Sequence, residues 1–579
     1  MFVSGIRTAF ACRTPTVTDT PRHGATPAPA RRTGRWAAGA LAGLISAAAA
    51  LGAAELAAGL IGPASSPVVA VGNAAIPLTP EPVKAFAIRT FGEDDKIALV
   101  VGTLVVIACY AALVGLVGLR SRLLGAAGVA LFGLVGFVAA ATRPAGSLLD
   151  GVPSVVGAVV GIAVLGALLG TLSRRAVAGH DDAEPGAVPA PAAGTTQADR
   201  ADDGLLGRLR EALASGDRGG TAVDRRAFLV SGGVALGAAA VAGGGGRLLQ
   251  RRFAVAGARS ELALPVPSSP APALPAGADL AERIPGLTPL FTANRDFYRV
   301  DTALTVPQLS PSDYTLRLTG MFDSPRSFTL AELYDRDDLI ERDITLTCVS
   351  NEVGGKLAGT ARWVGVPLGA LLREAGVQSG SDQLVCRSSD GMTIGTPTRS
   401  ALEVEDAMLA IGMNGEPLPV AHGFPVRMLV PGLYGYVSAC KWLTGIDAST
   451  YDAFDAYWTE RDWAVDGPIK VFARIDTPAP LRQLPAGRHP VAGVAWAQTR
   501  GIARVEVRVD DEDFVDAELS PEVDADLWRQ WVLPVELTPG QHQLTVRATD
   551  RAGTVQTDQR VPPFPAGASG WHSIRVIAT

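Results

Sequence analysis

Two features of this chain have residue types and spacing suited to chemistry. Residues 344–347 alternate as a strand does. Cys348 then opens a polar loop, Val349-Ser350-Asn351-Glu352, that runs into Gly354-Gly355. A thiol at a strand end can ligate a soft metal, attack an electrophile, or act as a small buried hydrophobe. The second feature begins His422-Gly423-Phe424-Pro425-Val426-Arg427, continues through Pro431-Gly432 and Gly435, and closes on Cys440, Lys441 and Trp442. A loop so rich in glycine and proline is expected to be neither regular helix nor strand. It brings backbone N–H groups close to an anion, while Arg427 offers a planar fork and Lys441 a point charge. A phosphate-bearing cofactor fits that set. Two other chemistries use the same residues: a nucleophilic enzyme with Cys348 attacking and His422 as base, or an envelope binding module in which the loop is only structural.

The elements that must position these residues fall into two halves. At 579 residues, with 48% hydrophobic, 19% charged and only 6% aromatic, the chain is too long for one ordinary domain and too apolar for a disordered one. Five apolar stretches, 36–61, 97–119, 123–141, 152–172 and 228–246, are each long enough to cross about 30 Å of hydrocarbon. They predict a membrane domain of five transmembrane helices over 1–250. Arg31, Arg32 and Arg35, then Arg120 and Arg122, then Arg174 and Arg175 fall on one side if the helices alternate, and that side is the cytoplasm. The stretch 178–222 becomes a cytoplasmic linker, and everything after 250 lies outside the cell membrane. Asp224-Arg225-Arg226-Ala227-Phe228-Leu229 before the fifth span is similar to a twin-arginine export signal placed internally. No histidine lies in any span; His23 and His180 are in polar segments, so bis-histidine haem ligation is absent from these helices. Glu55, the ionisable residue inside a span, sits near the outer end and is expected to reach the interface.

A proline-rich linker over 251–284 separates this half from two outer domains. Residues 285–465 mix strand-like runs with helical ones such as 367–375, an α+β pattern. Over 466–579, short alternating runs such as 505–509 and 544–548 with turn clusters between them predict an antiparallel immunoglobulin-like β-sandwich. Trp528, Trp531 and Trp571 there are expected as core or interface anchors. The formal net charge of −6 gives no basic field for nucleic acid. Five cysteines are too few and scattered for a disulfide framework, although Cys386 and Cys440 remain an open pair.

The Cys348 strand, the 422–442 run, and Thr292-Ala293-Asn294-Arg295-Asp296-Phe297-Tyr298-Arg299 together resemble the sulfite oxidase family of molybdopterin enzymes, over about residues 285–579. The resemblance implies that Cys348 is the thiolate on molybdenum beside one pyranopterin in its mononucleotide form. It implies that His422, Arg427 and Lys441 hold the pterin and its phosphate, with Asn294, Tyr298 and Arg299 closing the other side. The reaction implied is two-electron oxygen-atom transfer, with Arg299, Arg362 and Arg427 as cations for an anionic substrate. The C-terminal sandwich is similar to the family's dimerisation domain, so a homodimer is expected.

Two departures bear on the substrate. Glu352 and two glycines follow Asn351 where an arginine is usual, and Trp463 stands where animal and plant members carry a tyrosine. Both weaken sulfite oxidation and leave room for sulfoxide or N-oxide reduction, or for a larger neutral substrate, so the substrate expected is a small sulfur or nitrogen compound, sulfite-like or sulfoxide-like. Without a Cys-x-x-Cys-His haem motif or a cysteine cluster for iron and sulfur, electrons must come from a cytochrome or a quinone-type carrier.

Overall fold

The computed structural model describes residues 30–79, 90, 95–143, 146–173 and 222–579. Its helical half comprises α1 (Ala30–Ile61), α2 (Pro67–Leu78), α3 (Asp95–Gly118), α4 (Arg122–Ala141), α5 (Val152–Ser173) and α6 (Ala222–Gln250). All but α2 are long and apolar enough to cross a membrane. Arg174, Arg175, His23, His180, Cys12 and all of the linker 178–222 except its last residue lie outside the described residues. Glycine lets these helices approach at backbone distance. A Cβ on Gly43 would collide with the Ala111 carbonyl of α3, and one on Gly246 of α6 with that of Glu55. Two expectations change here. The loop after α1 contains α2, whose 12 residues are too few to cross a bilayer. Glu55 does not reach outward: it is only 7% exposed, because Ser66 and Gln250 donate hydrogen bonds to its carboxylate and Arg247 lies 3.7 Å away.

The segment 251–284 is extended but docked rather than free. Short helix α7 (Ala256–Glu261) places Arg259 against the carbonyls of Pro417 and Leu418, and Leu262 and Leu264 pack on the neighbouring core. Ser269 forms a parallel bridge to Ile340.

The α+β domain contains β1 (Thr315–Gly320), β2 (Arg326–Thr329), α8 (Leu330–Tyr334), β3 (Ile340–Thr347), β4 (Ala358–Pro367), α9 (Leu368–Glu374), β5 (Gln383–Ser388) and β6 (Thr393–Pro397). It continues through α10 (Thr398–Glu403), β7 (Met408–Met413), β8 (Glu416–Pro417), β9 (Arg427–Leu429), α11 (Gly435–Ser438) and β10 (Leu443–Ser449). One sheet has the order β2-β1-β10-β5-β6, with β1 and β10 parallel; the other has β3-β4-β7-β8, with β9 paired to β7. Period-two alternation divides the burial. Leu409 and Ile411 of β7 join the core shared with the first sheet, while Met408 and Ala410 pack with Trp363, Ile344 and Leu346 on the other face.

The C-terminal region is β-rich. Strands β11 (Phe472–Thr477), β12 (Gln483–Leu484), β13 (Gly487–Trp496), β14 (Ile502–Val509), β15 (Val515–Asp516), β16 (Glu518–Leu519), β17 (Arg529–Leu537), β18 (Gly540–Asp550) and β19 (His572–Ala578) form two sheets, β11-β13-β17-β16 and β12-β19-β18-β14-β15. Val491, Trp531 and Val535 of one meet Val505, Val546 and Val576 of the other in a common core. The pairing is not wholly antiparallel, since the two-residue β12 runs parallel to β19. Trp528 anchors this region to the α+β domain: its indole N–H donates to the Leu290 carbonyl at 2.8 Å, and its backbone N–H to the Thr345 hydroxyl.

Candidate functional site

Strand β3 ends at Thr347, and Cys348 begins the loop that follows. Its N–H donates to the Leu357 carbonyl, while the Asn351 carboxamide oxygen accepts the Leu357 N–H at 2.8 Å, so the loop 348–357 is closed by its own asparagine. The β-rich region clamps it from outside. Arg474 donates to the Gly355 carbonyl, and Gly354, at φ +81°, leaves room for the His572 ring where any side chain would collide.

Cys348 opens into a cleft that is partly open to solvent. Tyr298, His422, Arg427 and Lys441 line it too. The Gly/Pro loop is more regular than expected: β9 carries Arg427, and α11 follows the Pro431-Gly432 turn. Gly423, at φ +117°, allows the chain to pass close to Lys441.

The electrostatics follow from burial. Arg427 is 6% exposed, and burial lowers its pKa to about 10; its Nη1 donates one long hydrogen bond, 3.3 Å, to the His422 carbonyl, and its Nε has no partner. The Trp363 ring lies 5.5 Å from the guanidinium carbon. Lys441 is brought down to about 8 by burial, opposed by Asp301, to which its ammonium is bound at 2.7 Å. His422 falls to about 4, first through burial, so the imidazole is neutral at pH 7; its Nε2 lies 2.8 Å from the Asn294 carbonyl. Burial raises the Cys348 thiol, against hydrogen bonds from Ser350 and the charge of Lys441, and also raises the Tyr298 phenol.

The remaining expected residues stand one step back. Asn294 bonds to Asn414 and Glu416 as well as receiving His422. Arg299 forks onto Asp301 at 2.7 and 3.1 Å. Asp301, unnoticed in the sequence, is therefore shared by Arg299 and Lys441 and itself lines the cleft. Arg362, expected to face substrate, is absent from the lining. It stands opposite Asp343 in the β3–β4 register, and both its Nε and Nη2 are spent on that carboxylate at 2.8 Å. Glu352 is exposed and also absent from the lining. Cys386 and Cys440 are separate free thiols, both buried.

The residues fit an anionic, thiolate-ligated cofactor. A buried, underpaired guanidinium needs an anion to offset its desolvation. Arg299 and Lys441 around a single Asp301 leave one further positive charge beside it. The thiol supplies a soft ligand in the same cleft.

The comparisons point to a molybdopterin cofactor. A family model described as oxidoreductase molybdopterin binding domain matches residues 303–458. Sulfite oxidase from Gallus gallus is 30% identical over 349 residues, which cover 51% of this chain and 73% of that protein. Mitochondrial sulfite oxidase from Homo sapiens is 30% identical over 332 residues, 48% of this chain; the chain spans 60% of the human protein's length. NADH nitrate reductase from Solanum lycopersicum is 27% identical over 322 residues, 44% of this chain and 35% of the plant protein. Cys348, His422, Arg427 and Lys441 fall within the family-model match, whereas Tyr298, Asp301 and Trp463 flank it.

Proposed function

The chain belongs to the sulfite oxidase family of molybdopterin-dependent oxidoreductases, and from that premise we propose that its cleft performs two-electron oxygen-atom transfer on a small sulfur- or nitrogen-containing substrate. The observation that carries this reading is the buried, underpaired Arg427 lining the same cleft as the Cys348 thiol. When bound, the cofactor supplies a two-electron couple and exchange of an oxygen atom.

In this proposal Cys348 is the protein ligand to the metal. Its raised pKa means that the free thiol holds its proton at neutral pH, and ligation releases that proton. Arg427 and Lys441 hold the phosphate of a single pyranopterin in its mononucleotide form. Neutral His422, fixed by the Asn294 carbonyl, presents Nδ1 to the pterin as an acceptor. Tyr298 keeps its phenolic proton and closes the other side as a donor. Asn294 and Arg299 act through His422 and Asp301, so they are positioning residues, and Arg362 holds the β3–β4 pair.

The nucleophile reading fares worse. His422 is held by a carbonyl and resists protonation, Cys348 resists deprotonation, and no hydrogen bond joins the two among the described residues.

The five long helices we assign to a multi-pass membrane anchor. Val105, Val106, Leu113, Leu134, Val159 and Val241 are each more than half exposed, which suits lipid. Arg35, Arg120 and Arg122 mark its cytoplasmic side, so the catalytic half faces the extracytoplasmic space, meets a cytochrome or quinone-type electron carrier there, and dimerises through the C-terminal sandwich.

The test is molybdenum and pterin content of the detergent-purified protein, wild type against Cys348→Ser. About one of each per chain, with loss of the thiolate-dependent molybdenum spectrum in the variant, is the expected result. Negligible molybdenum in protein from a host that makes the cofactor would overturn the proposal.

A further inference from the structure

The lining of the cleft divides by chemistry. Arg427, His422 and Lys441 form its polar part. A second part is aromatic: Tyr436, Trp458 and Trp463 all line the cleft and are partly exposed in it, together with Met392. Their rings form one connected cluster. Trp458 and Trp463 meet edge to face at 6.0 Å between centroids, and Tyr436 lies 6.0 Å from Trp463. Phe564, contributed by the C-terminal region and 51% exposed, packs edge-on against Trp463 at 5.4 Å. The aromatic surface therefore runs without a break from the cleft to the outside of the molecule, and two parts of the chain build it.

Its phenol is already in use. The Tyr436 hydroxyl donates to the Ala464 carbonyl at 2.7 Å, so this phenol presents carbon, rather than a proton, to a ligand. Arg461, the nearest cation in sequence, stacks on Tyr457, bonds the Tyr457 carbonyl and is absent from the lining. Asp390, which also lines the cleft and accepts the Met392 N–H at 3.1 Å, repels an anion. Arg362, which would have attracted one, is held on Asp343.

A small dianion finds no cation among the aromatic residues of this part of the cleft. A neutral molecule with a flat apolar substituent buries it against two indoles, with the edge and face contacts that aromatic pairs prefer.

Resting on the oxidoreductase reading above, we infer that Trp458, Trp463 and Tyr436 form a specificity subsite for the apolar, preferably aromatic, substituent of an uncharged S-oxide, which the enzyme reduces to the sulfide. The balance is R–S(O)–R′ + 2 e⁻ + 2 H⁺ → R–S–R′ + H₂O. The S–O bond breaks, sulfur gains the electron pair, and the oxygen leaves as water. A one-electron donor protein, or reduced viologen in the assay, delivers the electrons in two steps.

The test uses detergent-purified, molybdenum-loaded full chain with reduced methyl viologen, and three substrates: methyl phenyl sulfoxide, dimethyl sulfoxide and, in the oxidising direction with ferricyanide, sulfite. In wild type, kcat/KM for methyl phenyl sulfoxide exceeds that for dimethyl sulfoxide at least tenfold. Trp463→Ala removes most of that ratio, chiefly through KM, while Trp463→Phe retains it and controls for folding. Independently of turnover, methyl phenyl sulfide quenches tryptophan fluorescence in wild type and binds at least tenfold more weakly to Trp463→Ala.

Equal kcat/KM for the two sulfoxides, or a ratio indifferent to Trp463→Ala and Trp458→Ala, overturns the subsite. Efficient sulfite oxidation without sulfoxide reduction overturns it as well, and leaves the oxidoreductase assignment standing. Absence of molybdenum from the purified chain removes that assignment instead.

Discussion

In the helical half, α1 meets its neighbours through glycine and alanine. Gly43 and Gly115 bring α1 and α3 to backbone contact, and Gly52, Gly59 and Gly246 do the same for α1 and α6. In the outer half the contacts are made by large side chains, and Trp363, Trp442, Trp496, Trp528 and Trp531 are all almost wholly buried. The contrast suits the membrane proposed for the helical half and water for the outer one. Between helices bathed in hydrocarbon, burying carbon gains little, so close backbone approach and dispersion hold them. In water the area removed from solvent is the main driving force, and bulky rings supply it. The chemistry belongs to the second kind of core, because a buried Arg427 needs a wall of rings such as Trp363 that excludes water around it.

The largest expected effect separates the halves. Trp363→Ala removes a fully buried ring that packs edge-on against Phe297 and donates to the Ile344 carbonyl. It should cost the outer half about 3–5 kcal/mol, seen as a lowered thermal transition of the α+β domain with helical circular dichroism of the bundle retained. An effect spread equally over both halves would erase the comparison.

The reciprocal change is Gly43→Leu, which forces a side chain into the Ala111 carbonyl. Overpacking of about 1–3 kcal/mol is expected. It should appear as earlier detergent-induced loss of an α1–α3 cross-link while pterin retention is unchanged.

A smaller effect sharpens the distinction through pH. His572 is brought down to about 4 by burial and by Arg474, and its Nδ1 accepts the Ile475 N–H at 2.9 Å. The unfolded chain takes up this proton near pH 6.5 and the folded chain only near 4. Its contribution is therefore complete above about pH 6.5 and is lost as pH falls toward 4. The stability advantage of wild type over His572→Gln should shrink across that window by roughly 1–2 kcal/mol, allowing for the ring's partial exposure. Urea unfolding of the outer half at several pH values measures it. An advantage that grows on acidification would show the sign to be wrong.

The sequence exposed those parts of the site whose chemistry is local. Cys348 at a strand end, and Arg427 and Lys441 around a Gly/Pro loop, are legible because neighbours in sequence make the pattern. Asp301 was not, since its importance comes from Lys441, 140 residues away. Arg362 misled for the same reason: its partner Asp343 becomes visible only once β3 and β4 are paired in register. In the helical half, hydropathy identified the five long helices but missed α2, which is shorter than any spanning segment and broken by proline composition at both ends. Proline-rich composition over 251–284 reads the same whether the segment hangs free or packs down, and Arg259 and Ser269 decide it through residues far along the chain.

Ser269 adds a further property of mechanical kind. Its N–H donates to the Leu339 carbonyl, and its carbonyl accepts the Glu341 N–H, so the chain leaving α6 lies alongside β3. That strand is at the edge of its sheet, and an edge left open invites pairing with foreign strands. Here the segment that tethers the domain also covers that edge. A pull arriving from the helices meets Arg259, Leu262 and Leu264 first and Ser269 only after them. Tension is taken up by those contacts before it reaches the edge of β3, so the strand that ends beside Cys348 is shielded from the helices rather than pulled by them.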